Sequence, residues 1–213
     1  KETIRKSTTH HARHKKQSGG HGQFGDVVME IRPLPPGEGF QFTETIHGGS
    51  IPKQYIPSVE SGVRDYLQSG PLGFPVVDVG VTLLDGKYHA VDSSDMAFQI
   101  AGRTAMSEAL PGCKPVLLEP IHHVKVHVPS EFTAKVNSLV STRRGHILGF
   151  DTRPGWTGWD TVEAHIPEAE TRDLIIELRS ITSGAGTFEA HYDHLAEISG
   201  RIADQVISER AGV

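Results

Sequence analysis

Hydrophobic and polar positions along this chain change rhythm several times. Residues 23–33 (QFGDVVMEIRP) and 39–46 (GFQFTETI) predict two strands, joined by the turn Pro35-Pro36-Gly37. Ile56, Val59, Val63, Tyr66 and Leu67 then recur at helical spacing, and Gly70-Pro71 stops the run. The short apolar stretch 75–84 (PVVDVGVTLL) predicts a buried strand. Ser94 stands where a helix cap belongs, with Met96, Ala97, Ile100, Ala101 and Ala105 expected inward and Pro111-Gly112 as the stop.

A second rhythm starts near Pro115. Residues 120–128 (PIHHVKVHV) alternate, with Val124, Val126 and Val128 on one face. Ser130 is expected to cap a helix that buries Phe132, Val136, Leu139 and Val140, and Arg143-Arg144-Gly145 to close it. Strands follow from Ile147 and over 160–166. Next come a helix with Leu174, Ile175, Leu178 and Ile181 inward, a strand at 186–192 and a terminal helix at 200–210. The order β-α-β-β-α-β predicts the ferredoxin-like split unit. The whole chain therefore reads as α+β in two domains, and a length of 213 residues allows two.

Composition narrows the class. A hydrophobic share of 37% excludes a wholly disordered chain. No stretch nears the roughly 18 apolar residues that span a bilayer, so no membrane partner is expected. A single cysteine, Cys113, rules out an internal disulfide and a cysteine-based zinc site, and fits a cytoplasmic location. The first residue is Lys1, which leads us to expect a piece of a longer protein.

The net charge of −5 is uneven. Residues 1–25 hold six cations and one anion, whereas residues 118–213 hold nine cations and fourteen anions. The basic end reads either as a solvated arm or as a surface for a polyanion.

Several motifs invite chemistry. Gly20-His21-Gly22-Gln23-Phe24-Gly25 has the letters of a dinucleotide fingerprint, but that site needs a strand before it and a helix after it. A glycine-rich tip whose backbone amides approach phosphate fits better. No phosphate-binding loop for a nucleoside triphosphate is present. His89, Asp92, Ser93 and Ser94 raise a hydrolase reading, although no G-x-S-x-G occurs and Asp92 and Ser94 suit helix capping. Of that set His89 is the better functional candidate. His10, His11 and His14 lack a completing ligand, so no metal is expected. His123 and His127 share a strand face, taken as the solvent side. Arg143 and Arg144 suit a helix C-terminus or a phosphate. Trp156 and Trp159, in a glycine-rich turn, suit packing or base stacking.

At these residues the sequence resembles the C-terminal part of bacterial elongation factor G. The strings that carry the likeness run the length of the chain. They are Glu2-Thr3-Ile4-Arg5-Lys6, Gln17-Ser18-Gly19-Gly20 with Gly22-Gln23, Gly48-Gly49-Ser50-Ile51-Pro52 and Tyr55-Ile56-Pro57. After Gly70-Pro71-Leu72 and Pro75-Val76-Val77-Asp78 come Tyr88-His89 with Val91-Asp92-Ser93-Ser94, Lys114 to Pro120, Arg143-Arg144-Gly145 and Leu178-Arg179-Ser180. The resemblance implies the family's fourth domain at 1–117, ribosomal protein S5 domain 2-like, and its fifth at 118–213, ferredoxin-like.

It further implies a tip made of loops 18–25 and 88–94. Ser18, Gly19, Gly20, His21, Gly22, Gln23, His89, Asp92 and Ser93 would contact RNA there. Lys15, Lys16, Arg143 and Arg144 are further candidates for rRNA. The implied partners are the small-subunit decoding region with tRNA and mRNA, and large-subunit rRNA near the factor-binding centre, met by a monomer. These residues would hold no cofactor and no catalytic group; GTP and magnesium are expected only in the family's N-terminal domain. His21 replaces a usual Arg and Phe24 a usual Tyr, and Trp156 to Asp160 is atypical. Those departures indicate a divergent elongation-factor-G-like paralogue. They leave ribosome recycling or ribosome protection open beside translocation.

Overall fold

The computed structural model describes residues 1–17 and 19–212. The chain forms two compact units, one of Lys1–Leu118 with the C-terminal segment from Glu197, the other of Glu119–Ala196.

The first unit opens with β1 (Glu2–Ile4), β2 (Thr8–Lys16), β3 (Gln23–Pro33) and β4 (Phe40–Glu44). It continues through α1 (Ile56–Tyr66), β5 (Val79–Lys87) and α2 (Asp95–Ala109). Its sheet has the order β2-β3-β5-β4. The β5 residues Val79, Val81 and Leu83 are buried, which suits a strand flanked on both sides. The proline turn after β3 therefore does not make a hairpin. The chain passes over β5, and β4 pairs with β5 in parallel on its far edge.

The basic N-terminal stretch is not a solvated arm. Over nine residues β2 pairs antiparallel with β3, and β1 pairs with Pro115–Leu117. The Glu2 carboxylate is buried and accepts the backbone N–H groups of Leu72 and Phe74. Alternation explains the sheet: Val27, Met29 and Ile31 are fully buried, while Val28 and Glu30 between them are half-buried on the other face.

α2 is capped by Ser94, whose Oγ accepts the Ala97 N–H at 3.1 Å. Its buried face is mostly small, with Ala97, Ala101, Gly102 and Ala105, so α1 can lie close against it. At Gly62 of α1 an added Cβ would sit 2.0 Å from the Gln99 carbonyl oxygen, so only glycine fits that crossing. Met96 was expected inward and is instead 59% exposed, because it sits in the first turn beyond the packed stripe.

The second unit contains most of β6 (Pro115–Pro129), then α3 (Thr133–Thr142), β7 (His146–Thr152), β8 (Trp159–Pro167), α4 (Leu174–Ile181) and β9 (Thr187–Ile198). The strand order β9-β6-β8-β7 is that of the split β-α-β fold. Val124, Val126, Val128, Val162, Ala164 and Ile166 form the sheet's inner face, and α3 and α4 cover it through Val136, Val140, Leu174 and Leu178.

Ser130 does not cap α3. It begins a 3₁₀ turn, Ser130–Phe132, and the helix starts at Thr133, whose hydroxyl donates to Asp160 Oδ2 at 2.7 Å. The last helix, α5 (Gly200–Ala211), belongs to the first unit, where the Arg210 guanidinium lies over the Phe74 ring and donates to the Gly73 carbonyl.

Candidate nucleic-acid interface

Strand register brings the two sequence-predicted loops together. β3 runs antiparallel to β5 with Asp26 opposite Lys87, so the turn before β3 and the loop after β5 leave the sheet at the same end. One loop joins β2 to β3 and the other joins β5 to α2. The glycine-rich string thus runs from the turn after β2 into the start of β3, with no helix after it, and the dinucleotide geometry fails on topology. Ser18 lies outside the described residues.

The loops are tied by their backbones. Phe24 N–H donates to the Asp92 carbonyl at 2.9 Å. The Ser93 hydroxyl donates to the Phe24 carbonyl at 2.8 Å and accepts the His89 N–H at 2.8 Å. Gly22 packs so closely on the second loop that a Cβ there would lie 2.9 Å from Asp92 Oδ2. Gly19 and Gly20 are exposed, both with positive φ, a backbone shape other residues adopt only under strain.

His89 is held in a defined way. Its Nδ1 accepts the N–H groups of Val91 at 3.2 Å and Asp92 at 3.1 Å. The neutral ring therefore carries its proton on Nε2, which becomes a pre-oriented donor. Its side chain is 54% exposed. Lys15, Lys16, Gln17, Gln23, Phe24, His89 and Asp92 together line a shallow cavity of about 200 Å³.

Among the described residues no carboxylate lies within ion-pair distance of Lys15 or Lys16. Among the described residues no hydrolase constellation forms here: the Ser93 hydroxyl donates to a carbonyl, Ser94 caps α2, and His89 Nδ1 accepts backbone amides rather than a serine hydroxyl.

Phe24 and Asp26 also belong to the site, although neither is among the RNA contacts that the resemblance implies. The Phe24 ring lies 6.3 Å from that of His89, under the guanidinium of Arg13 at 5.5 Å. Asp26 is buried beneath His11 and Arg13, each 2.8 Å from its Oδ2. The signal available was a carboxylate at the start of a strand opposite a basic one.

Arg143 and Arg144 are engaged inside the second unit. Arg143 donates to the carbonyls of Glu170 and Arg172 and pairs with Glu177. Arg144 makes a two-pronged contact with Glu119, at 2.8 and 3.1 Å, and reaches Glu170 at 3.1 Å. These carboxylates raise its pKa further above the usual guanidinium value. Trp156 and Trp159 meet edge to face, with Arg153 4.0 Å above Trp156, and Trp156 stays half exposed. No helix among the described residues is long and apolar enough to cross a membrane.

Two family descriptions match the chain in sequence. Residues 1–114 fit "Elongation factor G, domain IV", and residues 116–206 fit "Elongation factor G C-terminus". The chain belongs to the elongation factor G family. An elongation factor G-like protein from Synechocystis sp. is 59% identical over 95% of the chain, and elongation factor G from Aquifex pyrophilus is 48% identical over 99%. A crystal structure of a Thermus thermophilus protein superposes on all of it, with a TM-score of 0.89 and 38% identity. The chain spans 30% of the length of each of those two relatives and 31% of that solved chain. The likeness to elongation factor G read from the sequence strings thus holds for both halves, as does the two-part α+β fold.

Proposed function

We propose that this chain is the ribosome-contacting part of an elongation-factor-G-like translational GTPase. Residues 1–117 act as the fourth-domain lever, and their tip enters the decoding region of the small subunit as tRNA and mRNA move. Residues 118–213 act as the fifth domain, against large-subunit rRNA. GTP and magnesium belong to a domain outside these residues, and the place of action is the cytoplasm, where the ribosomes are.

The observation that carries this reading is the joining of two loops, far apart in sequence, into one exposed tip with His89 locked at Nδ1. A donor fixed in place loses little entropy on meeting a backbone or base acceptor. The glycine turn lets bare amides come near phosphate, and Lys15 and Lys16 at its base supply attraction without sequence preference. Arg143 and Arg144 are left out of the RNA surface, because their donors already hold the second unit together.

The test is His89→Ala in the full-length GTPase. Fast-kinetic translocation slows by about tenfold or more, while ribosome-stimulated GTP hydrolysis stays within about twofold. Unchanged translocation would remove His89 from the tip's working surface. Subunit splitting by a parent that does not translocate would move the reading to recycling.

A further inference from the structure

We propose that the solvent face of the second unit's sheet carries a divalent transition-metal site formed by His123, His165 and Asp193. His123 and His165 are directly opposite in the β6–β8 register, with ring centroids 5.7 Å apart. β9 borders β6 and supplies Asp193, whose Oδ2 lies 3.6 Å from His165 Nε2. One ligand atom from each of the three residues falls within 4.8 Å of the others.

That spacing is more open than a filled site. Bonds of about 2.0–2.1 Å in a tetrahedral arrangement put ligand atoms roughly 3.3 Å apart. Rotation of exposed and half-buried side chains closes the difference without moving the strands. The pairs do not satisfy one another as they stand, because 3.6 Å is too long for a hydrogen bond.

Donor chemistry selects the ion. Two imidazoles and one carboxylate suit zinc, cobalt or nickel, whereas calcium and magnesium prefer oxygen alone. An outer layer is present as well. His194 donates from Nδ1 to Asp193 Oδ2 at 2.6 Å and so orients the carboxylate, and His191 stacks on His123 at 5.2 Å. A bound ion would pin β9 to β8 across β6.

Calorimetric titration of the 213-residue chain with zinc chloride at neutral pH tests this. One saturable site is expected, and cobalt(II) at that site gives visible absorption bands. His165→Ala, His123→Ala and Asp193→Asn each weaken zinc at least about tenfold, whereas His14→Ala on β2 leaves it unchanged. Circular dichroism of each variant separates lost ligands from lost fold, and any one folded variant suffices. Absence of saturable heat in the unmodified chain, full affinity in folded His165→Ala and His123→Ala, or loss on His14→Ala overturns the site.

Discussion

Lys15 and Lys16 close a strand in the first unit, and Arg143 and Arg144 close a helix in the second. Each is a pair of adjacent cations beside a turn that contains glycine. The lysines are exposed, meet no carboxylate within ion-pair distance among the described residues, and sit beside the tip cavity. The arginines are half-buried and turn their guanidinium groups onto Glu119, Glu170, Glu177 and two carbonyls. The difference teaches that a cation pair is available to a nucleic acid only when the fold leaves it unpartnered. Removing an arginine from a two-pronged contact to meet a phosphate exchanges one anion for another, at the cost of a carboxylate left behind.

The largest test of this contrast is Arg144→Ala. It strips two bonds from the Glu119 carboxylate and one from Glu170, and lowers stability by about 2 kcal/mol. Urea unfolding measures the loss, and the salt dependence of binding to ribosomal RNA stays the same. A stable variant with a shallower salt slope would erase the distinction between the two turns.

Next in size is the double change Lys15→Ala with Lys16→Ala. Each phosphate contact contributes about 0.7–0.9 to the slope of log affinity against log salt, so the slope falls by roughly 1.5. Stability moves by less than about 0.5 kcal/mol, as is usual for surface positions. An unaltered slope would place the RNA surface elsewhere.

The smallest effect concerns how the second unit manages its other polar groups. His127 hydrogen-bonds Thr161 Oγ1 through Nδ1 at 2.8 Å. Burial first, then the charge of Arg153, lowers its pKa below the ordinary 6.5, although Glu189 pulls the other way. A histidine lowered in the folded state favours folding when neutral. Its contribution is complete above its unfolded pKa and is lost as pH falls through the folded one. The unfolding midpoint therefore drops on acidification from about pH 7 to about pH 5, and His127→Asn flattens part of that drop in a thermal scan.

The sequence by itself determined the family and most of the elements from Gln23 onward, but not the strands β1 and β2. Alternating valines at 124, 126 and 128 can bury only one side of a strand, and the cap at Ser94 starts its helix as its position requires. The strings around Gly20, His89 and Arg143 suffice for the likeness to elongation factor G. The resemblance also implies the two tip loops, with Ser18, Ser93, His21 and His89 among their residues.

Tertiary structure alone decided which strands are neighbours and which charges remain free. β4 crosses to the far edge of β5 because a parallel pairing there covers the sheet, and a proline turn does not reveal that choice. Asp26 is buried by side chains from the next strand, and a period-2 pattern counts it as outward. The meeting of His123, His165 and Asp193 depends on register between strands dozens of positions apart. Local pattern records what each residue prefers to bury, because burial acts on one segment at a time; who sits opposite whom is set only when the segments close over a shared core.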